Sequence, residues 1–303
     1  MINTTIHILL VLLLPPLLQG LIIKTKALFA GRVGAPVLQP YHDIIRLLRK
    51  QMVISRTTGW MFLAGPVVSL VATLAGSMLL PFGEPAAPLH FAGDLILFIY
   101  LLALGRFFTA AAALDTGSAF EGMGAAREVT FSCLAEPAVF LGLLALVRIT
   151  GSFELSGLLG AKVVAGWSTA APTMVMVVAG FFIVALAENC RIPFDDPNTH
   201  LELTMIHEVM VLDHSGPALG IIEYSAALKL VLFGAIVTRI AAPASSDNIL
   251  LNWSVFVLAV ALFAVAVGVI ESIMARLRIN QVPNLLIGAG VLTGFGFVLL
   301  LMR

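Results

Sequence analysis

Six ionisable residues of this chain fall within or at the ends of long apolar runs, where charge is costly. Glu136 lies inside one run, Glu188 and Glu271 end two others, and Glu223 stands early in a fourth. Arg106 and Lys229 are cations within runs. In a low-dielectric setting a carboxylate is held near the point where it can take up and release a proton, so such a set can relay protons. The same residues can also act as structural ion pairs that fix helix packing. Glu223 and Lys229 are six residues apart and so lie on different helical faces, which predicts partners on other helices for both.

Two polar stretches accompany these runs. The first, LDTGSAFEGMGAARE over 114–128, carries Asp115, Glu121, Arg127 and Glu128, and its Gly117, Gly122 and Gly124 predict a compact turn. The second follows Glu188 and carries Arg191, Asp195, Asp196, Glu202, Glu208 and Asp213. Pro193 and Pro197 interrupt any continued helix there, and a helix start is expected near Asn198 and Thr199. His200, His207 and His214 recur every seven residues. On a helix that spacing sets neighbours about 10.5 Å apart, too far to share a metal. Solvated or carboxylate-paired histidines are expected instead.

The elements that must position these groups are membrane helices. The chain is 60% hydrophobic and only 11% charged. Soluble proteins carry about 25% charged residues. Eight apolar segments can each span a bilayer: 4–23, 60–81, 94–113, 130–150, 171–188, 218–239, 250–271 and 281–302. The fold class is therefore an all-α polytopic membrane protein, expected to form one domain over 1–303. Pro15-Pro16 predicts a kinked or broken first helix. Eleven of the 17 Lys and Arg residues fall in the loops after spans one, three, five and seven, which makes that side cytoplasmic and puts both termini outside. Leu38 to Met52, LQPYHDIIRLLRKQM, is an amphipathic helix lying in the interface, either as a surface anchor or as the wall of a lateral cavity. Cys133 and Cys190 are read as buried free thiols. No phosphate loop, nucleophile triad, iron–sulfur or nickel ligand set is present in the sequence, and the zero net charge gives no sign of nucleic-acid binding.

Several stretches resemble one family. AENCRIPFD (187–195), RVGAP (32–36) and the order of spans resemble the H subunit of respiratory complex I. DLILFIYLLALGRFF (94–108), LDTGSAFEGMGAARE (114–128) and ESIMARLR (271–278) resemble more closely the membrane subunit of the hydrogenase 4 and formate hydrogenlyase type, the group 4 energy-converting nickel–iron hydrogenases. The stretch DDPNTHLELTMIHEVMVLDHSG departs from the formate hydrogenlyase pattern in where its acids stand.

The resemblance implies a non-catalytic, membrane-anchoring and proton-coupling subunit of a prokaryotic inner-membrane complex. Its partners would be hydrogenase-like small and large subunits, a ferredoxin-like subunit and antiporter-like membrane subunits. Iron–sulfur clusters and a nickel–iron centre would lie in those partners, with no cofactor in this chain. Arg191, Asp195, Glu202 and Asp213 match the family's loop, and Glu136 matches its fourth-helix glutamate. With Asp196 and Glu208, the loop residues would face the redox arm. The proton path would comprise Glu136, Glu188, Glu223, Arg106, Lys229, Asp115 and Glu128. The alternatives are a quinone-site subunit of a complex I-like enzyme, a standalone transporter and a purely structural anchor.

Overall fold

The computed structural model describes residues 2–83, 86–195, 205–243 and 248–302. Eight helices among them are long and apolar enough to cross a membrane: α1 (Ile2–Phe29), α3 (Trp60–Leu79), α4 (Asp94–Asp115), α5 (Ala119–Thr150), α7 (Lys162–Glu188), α9 (Gly216–Ala241), α10 (Ile249–Ile273) and α11 (Val282–Leu301). Three short α-helices accompany them: α2 (Gln39–Leu48), α6 (Leu155–Leu158) and α8 (His207–Met210). The predicted spans all appear, and the all-α membrane class holds.

Helix α9 is the axis of the bundle. Every residue from Ala227 to Ile240 is buried except Lys229, so this helix is apolar nearly all round over its enclosed length. Helices α3 and α4 pack closely because Gly65 faces Ala112 and the Phe108 carbonyl, with no room for a side chain.

Three expectations need correction. The turn predicted over 114–128 is confined to Thr116–Ser118, where Gly117 takes a positive φ of 71°; α5 begins at Ala119 and carries Glu128 inside it. Gly122 and Gly124 are helical, and Gly124 is small so that Val209 and Met210 of α8 can pack against it. Helix α7 starts at Lys162, nine residues earlier than expected, and bends at Ala170 (φ −134°, ψ 41°). The bend falls two residues before Pro172, the usual cause of such a kink. Finally, of the kink or break expected at Pro15-Pro16, the break is absent: α1 is continuous there. Those prolines withhold the amides that would bond the Val11 and Leu12 carbonyls. The Tyr224 hydroxyl of α9 donates to both, at 3.0 and 3.3 Å. The Tyr41 hydroxyl of α2 donates to the next carbonyl, that of Leu13.

The amphipathic α2 packs on α9, where Gly220 admits Leu47 and Leu48. The loops after α1, α4, α7 and α10 meet on one side: Gly59 contacts Asp115, Val53 contacts Ser215, and Leu277 contacts Pro193. On the opposite side Asp94, fully buried at the start of α4, accepts from the Leu155 amide at 2.7 Å and anchors α6 across that end of the bundle.

Candidate functional site

Glu188, the last residue of α7, is shared by two cations from different helices. Its Oε1 and Oε2 lie 3.0 and 3.1 Å from Nη2 of Arg106 on α4. Its Oε2 lies 2.8 Å from Nζ of Lys229 on α9. Arg106 also reaches Glu136 on α5, at 3.4 Å. A lone charge inside a membrane protein is strongly unfavourable, so four helices gathering their charges at one point stabilises each of them. Lys229 thus finds its partner on another helix, as its spacing from Glu223 requires.

Two cavities meet at this cluster. One, of about 80 Å³, is lined by Ser69, Thr109, Glu128, Asn189, His207 and Lys229 together with Arg106 and Glu188. It is the more polar of the two and has room for several waters. The other, of about 60 Å³, has walls of Phe98, Phe140, Leu158 and Phe181, with Arg106, Glu136 and Glu188 the ionisable groups at its lining. Leu155 and Leu158 of α6 and Leu159 just after it belong to this apolar cavity and are buried. The two cavities and their ion pairs hold three carboxylates (Glu128, Glu136, Glu188) and two cations, so the group is neutral only with one proton added. The Glu136 side chain is 49% exposed, so its carboxylate opens onto the flank of the bundle.

The polar stretch after α7 is built around Asp195, which is almost fully buried. Its Oδ2 accepts from the amides of Ile206 and His207 at 2.9 and 3.1 Å, and its Oδ1 lies 2.8 Å from Arg276 beyond α10. The Ile192–Pro193 peptide within this stretch is cis. A second latch lies beside it: buried Glu271 of α10 pairs with Lys26 of α1 at 2.8 Å and with Arg191 at 3.5 Å. Burial pushes the Glu208 carboxyl up to about 7, helped by the nearby Glu223 and Asp195 carboxylates. Burial, and then the Lys229 cation, lowers the neighbouring His207. The buried Cys190 thiol, which lines the polar cavity, is raised well above its usual value, chiefly by burial.

The expected residues divide accordingly. Arg106, Glu128, Glu136, Glu188 and Lys229 converge, and Glu208 and Glu223 interact near the polar cavity. Asp115 stands apart: its Oδ2 accepts from the amides of Gly59 and Phe62 at 2.6 and 3.1 Å. It thereby caps α3 from another helix. Asp195 is tied to Arg276 beyond α10, and Arg191 to Glu271 of α10. Asp213 holds the buried Glu121 through its own amide, at 3.0 Å. Asp196, Glu202, His200 and the helix start expected near Asn198 and Thr199 lie outside the described residues. His214 is neither solvated nor carboxylate-paired: it stacks on Phe62 with ring centroids 4.0 Å apart, and its Nε2 meets the Phe62 carbonyl. Cys190 is buried but Cys133 is exposed, against the expectation for the pair. Two features were missed. The hydroxyl lining of the polar cavity has no signal in single residues such as Ser69 and Thr109. The Lys26–Glu271–Arg191 latch had one, since a carboxylate ending a span beside a basic loop calls for a cation.

The fold and the charge cluster together define a multi-pass membrane subunit with ionisable groups stitched across its helices. The chain belongs to the NADH dehydrogenase family, whose sequence model matches residues 2–302. It is 32% identical over 293 residues to formate hydrogenlyase subunit 4 of Escherichia coli K12, covering 94% of this chain and 92% of that one. It is 34% identical over 273 residues to hydrogenase-4 component C of the same organism, covering 88% and 85%. It has the fold of a chain in the membrane-bound sulfane sulfur reductase, an archaeal respiratory membrane complex, with a TM-score of 0.82 at 22% identity over 99% of this chain and 98% of the other. The protein is thus a membrane subunit of a hydrogenase-4-like or complex I-like assembly, and its partners are other subunits of such a complex.

Proposed function

We propose that this subunit anchors a redox arm to the membrane and couples its chemistry to proton movement. The observation that carries this reading is the Glu188 carboxylate, held by Arg106 and Lys229 between a polar and an apolar cavity. Glu128 and Glu136 bracket it, and the cluster is one proton short of neutrality. A charge change near Glu208 and His207 alters the field at Lys229, and with it the proton occupancy of the carboxylates behind it. The proton leaves sideways through Glu136, since apolar side chains of α6 lie across the far end of its cavity. Antiporter-like membrane subunits would receive it.

The redox centres belong to the partners: an iron–sulfur small subunit, a nickel–iron large subunit and a ferredoxin-like subunit. The relatives named for formate hydrogenlyase and hydrogenase-4 support this assignment. The same likeness supports the inner membrane as the location, with the charged loops cytoplasmic and both termini outside. The quinone alternative is less favoured. Small-molecule pockets measure about 300 Å³ or more. The polar cavity, of about 80 Å³, suits water.

The test uses the whole complex, purified by a tag on this subunit and reconstituted in liposomes. Glu128→Gln is the variant of choice because no ion pair of the cluster depends on it. It should keep dye-linked turnover of the redox arm while abolishing acidification of the vesicle interior. Unchanged proton pumping would overturn the reading.

A further inference from the structure

We propose that the groove between α1, α2 and α10 is a binding site for a phospholipid with an anionic headgroup. This does not depend on the proton-coupling reading, only on the chain spanning a membrane. The groove encloses about 510 Å³ and is much larger than the two cavities of the charge cluster. Its long wall is apolar and comes from membrane spans: Leu10, Leu13 and Leu17 of α1 and Val257 of α10. Tyr41 and His42 of the amphipathic α2 stand at one end.

Two observations select the occupant. The first is the wall itself. Leu10, Leu13, Leu14, Leu17, Leu38 and Val257 line it with hydrocarbon. The Tyr41 hydroxyl donates to the Leu13 carbonyl, so its polar end is engaged on α1 while its ring lines the groove, and the wall is fit for an acyl chain. The second is charge. His42, Arg46 and Arg49 are spaced i, i+4 and i+7, so one stripe of α2 runs from the groove's end into a row of cations. Lys50 follows, and the only carboxylate on α2 is Asp43, 3.2 Å from Arg46. An apolar trough ending in a basic interfacial helix matches a lipid tail and an anionic head in that order.

The test is site-specific crosslinking in the native complex within its own membrane. Leu13→p-benzoylphenylalanine places a photoreactive ring on the groove wall, at a side chain 56% exposed. Irradiation should give an adduct with the mass of an anionic phospholipid, enriched over its share of the membrane. Arg46→Gln with Arg49→Gln should lower that enrichment by about fivefold for each cation lost while the complex still assembles. A polypeptide adduct would mean that a neighbouring subunit fills the groove, and a quinone adduct that it admits a redox carrier. Either result overturns the proposal, as does a lipid adduct that mirrors bulk composition or ignores the arginines.

Discussion

The hydroxyl of Tyr224 takes the place of the amide that Pro15 removes, donating to the Val11 carbonyl at 3.0 Å from another helix. A proline pair inside a span is therefore tolerated because α9 supplies the missing donor. Tyr224→Phe should lower the stability of the complex by about 1 kcal/mol, by leaving carbonyls unbonded in the bilayer. Restoring an amide with Pro15→Ala should reduce that cost. Thermal unfolding of the two single variants and the double variant measures the coupling, and strictly additive effects would rule the relationship out.

Glu188 and Glu136 both contact Arg106 but differ in enclosure, with side-chain exposures of 5% and 49%. Glu188→Gln removes the carboxylate that Arg106 and Lys229 share and should cost about 3–5 kcal/mol, seen as loss of assembled complex. Glu136→Gln should change stability by about 1 kcal/mol or less while still reducing proton translocation. Equal losses of assembly in the two variants would contradict the geometry.

Glu208 titrates at about 7 against an ordinary 4.5. The sign follows: the native loop binds the extra proton, so its stability is full below pH 4.5 and declines as pH rises through 7. The carboxylates of Glu223 and Asp195 face it, with His207 adjacent in the chain. The protection of the amides of 205–211, taken relative to their intrinsic base-catalysed exchange, should fall between about pH 4.5 and 7, and Glu208→Gln should remove that dependence. A pH-independent wild type would show that Glu208 is solvated.

Gly20 faces the backbone of Val37, and a Cβ there would overlap the Val37 carbonyl oxygen. Gly20→Ala must push the loop before α2 away from α1 and should cost roughly 1–3 kcal/mol. The sensitive readout is protease cleavage within 30–38, which should rise, whereas Gly288→Ala, where no atom lies within 4 Å of the added carbon, should leave it unchanged.

The spans were legible because a long apolar run has one stable solution in a bilayer, and α2 because its apolar residues keep a helical period. Arg106 and Lys229 were legible as needing partners, since a buried cation cannot stand alone. What could not be read was which residues would meet. The sharing of Glu188 by α4 and α9 is a property of helix packing, with Arg106 and Glu188 82 positions apart. Asp115 shows a related limit: a carboxylate that caps a distant helix and one that relays a proton look alike in one dimension. The glycines at 117, 122 and 124 misled because only Gly117 serves a turn; Gly124 is small to admit a neighbour. His214 gave no sign of its stacking on Phe62, which is 152 residues away.

The anchoring of Asp195 has a consequence for the loop side of the bundle. Its carboxylate accepts from the Ile206 amide at 2.9 Å and pairs with Arg276 at 2.8 Å, so the stretch after α7, the start of α8 and the turn beyond α10 all rest on one side chain. A carboxylate shared in this way makes the three positions interdependent, and a shift of any one of them is felt by the other two.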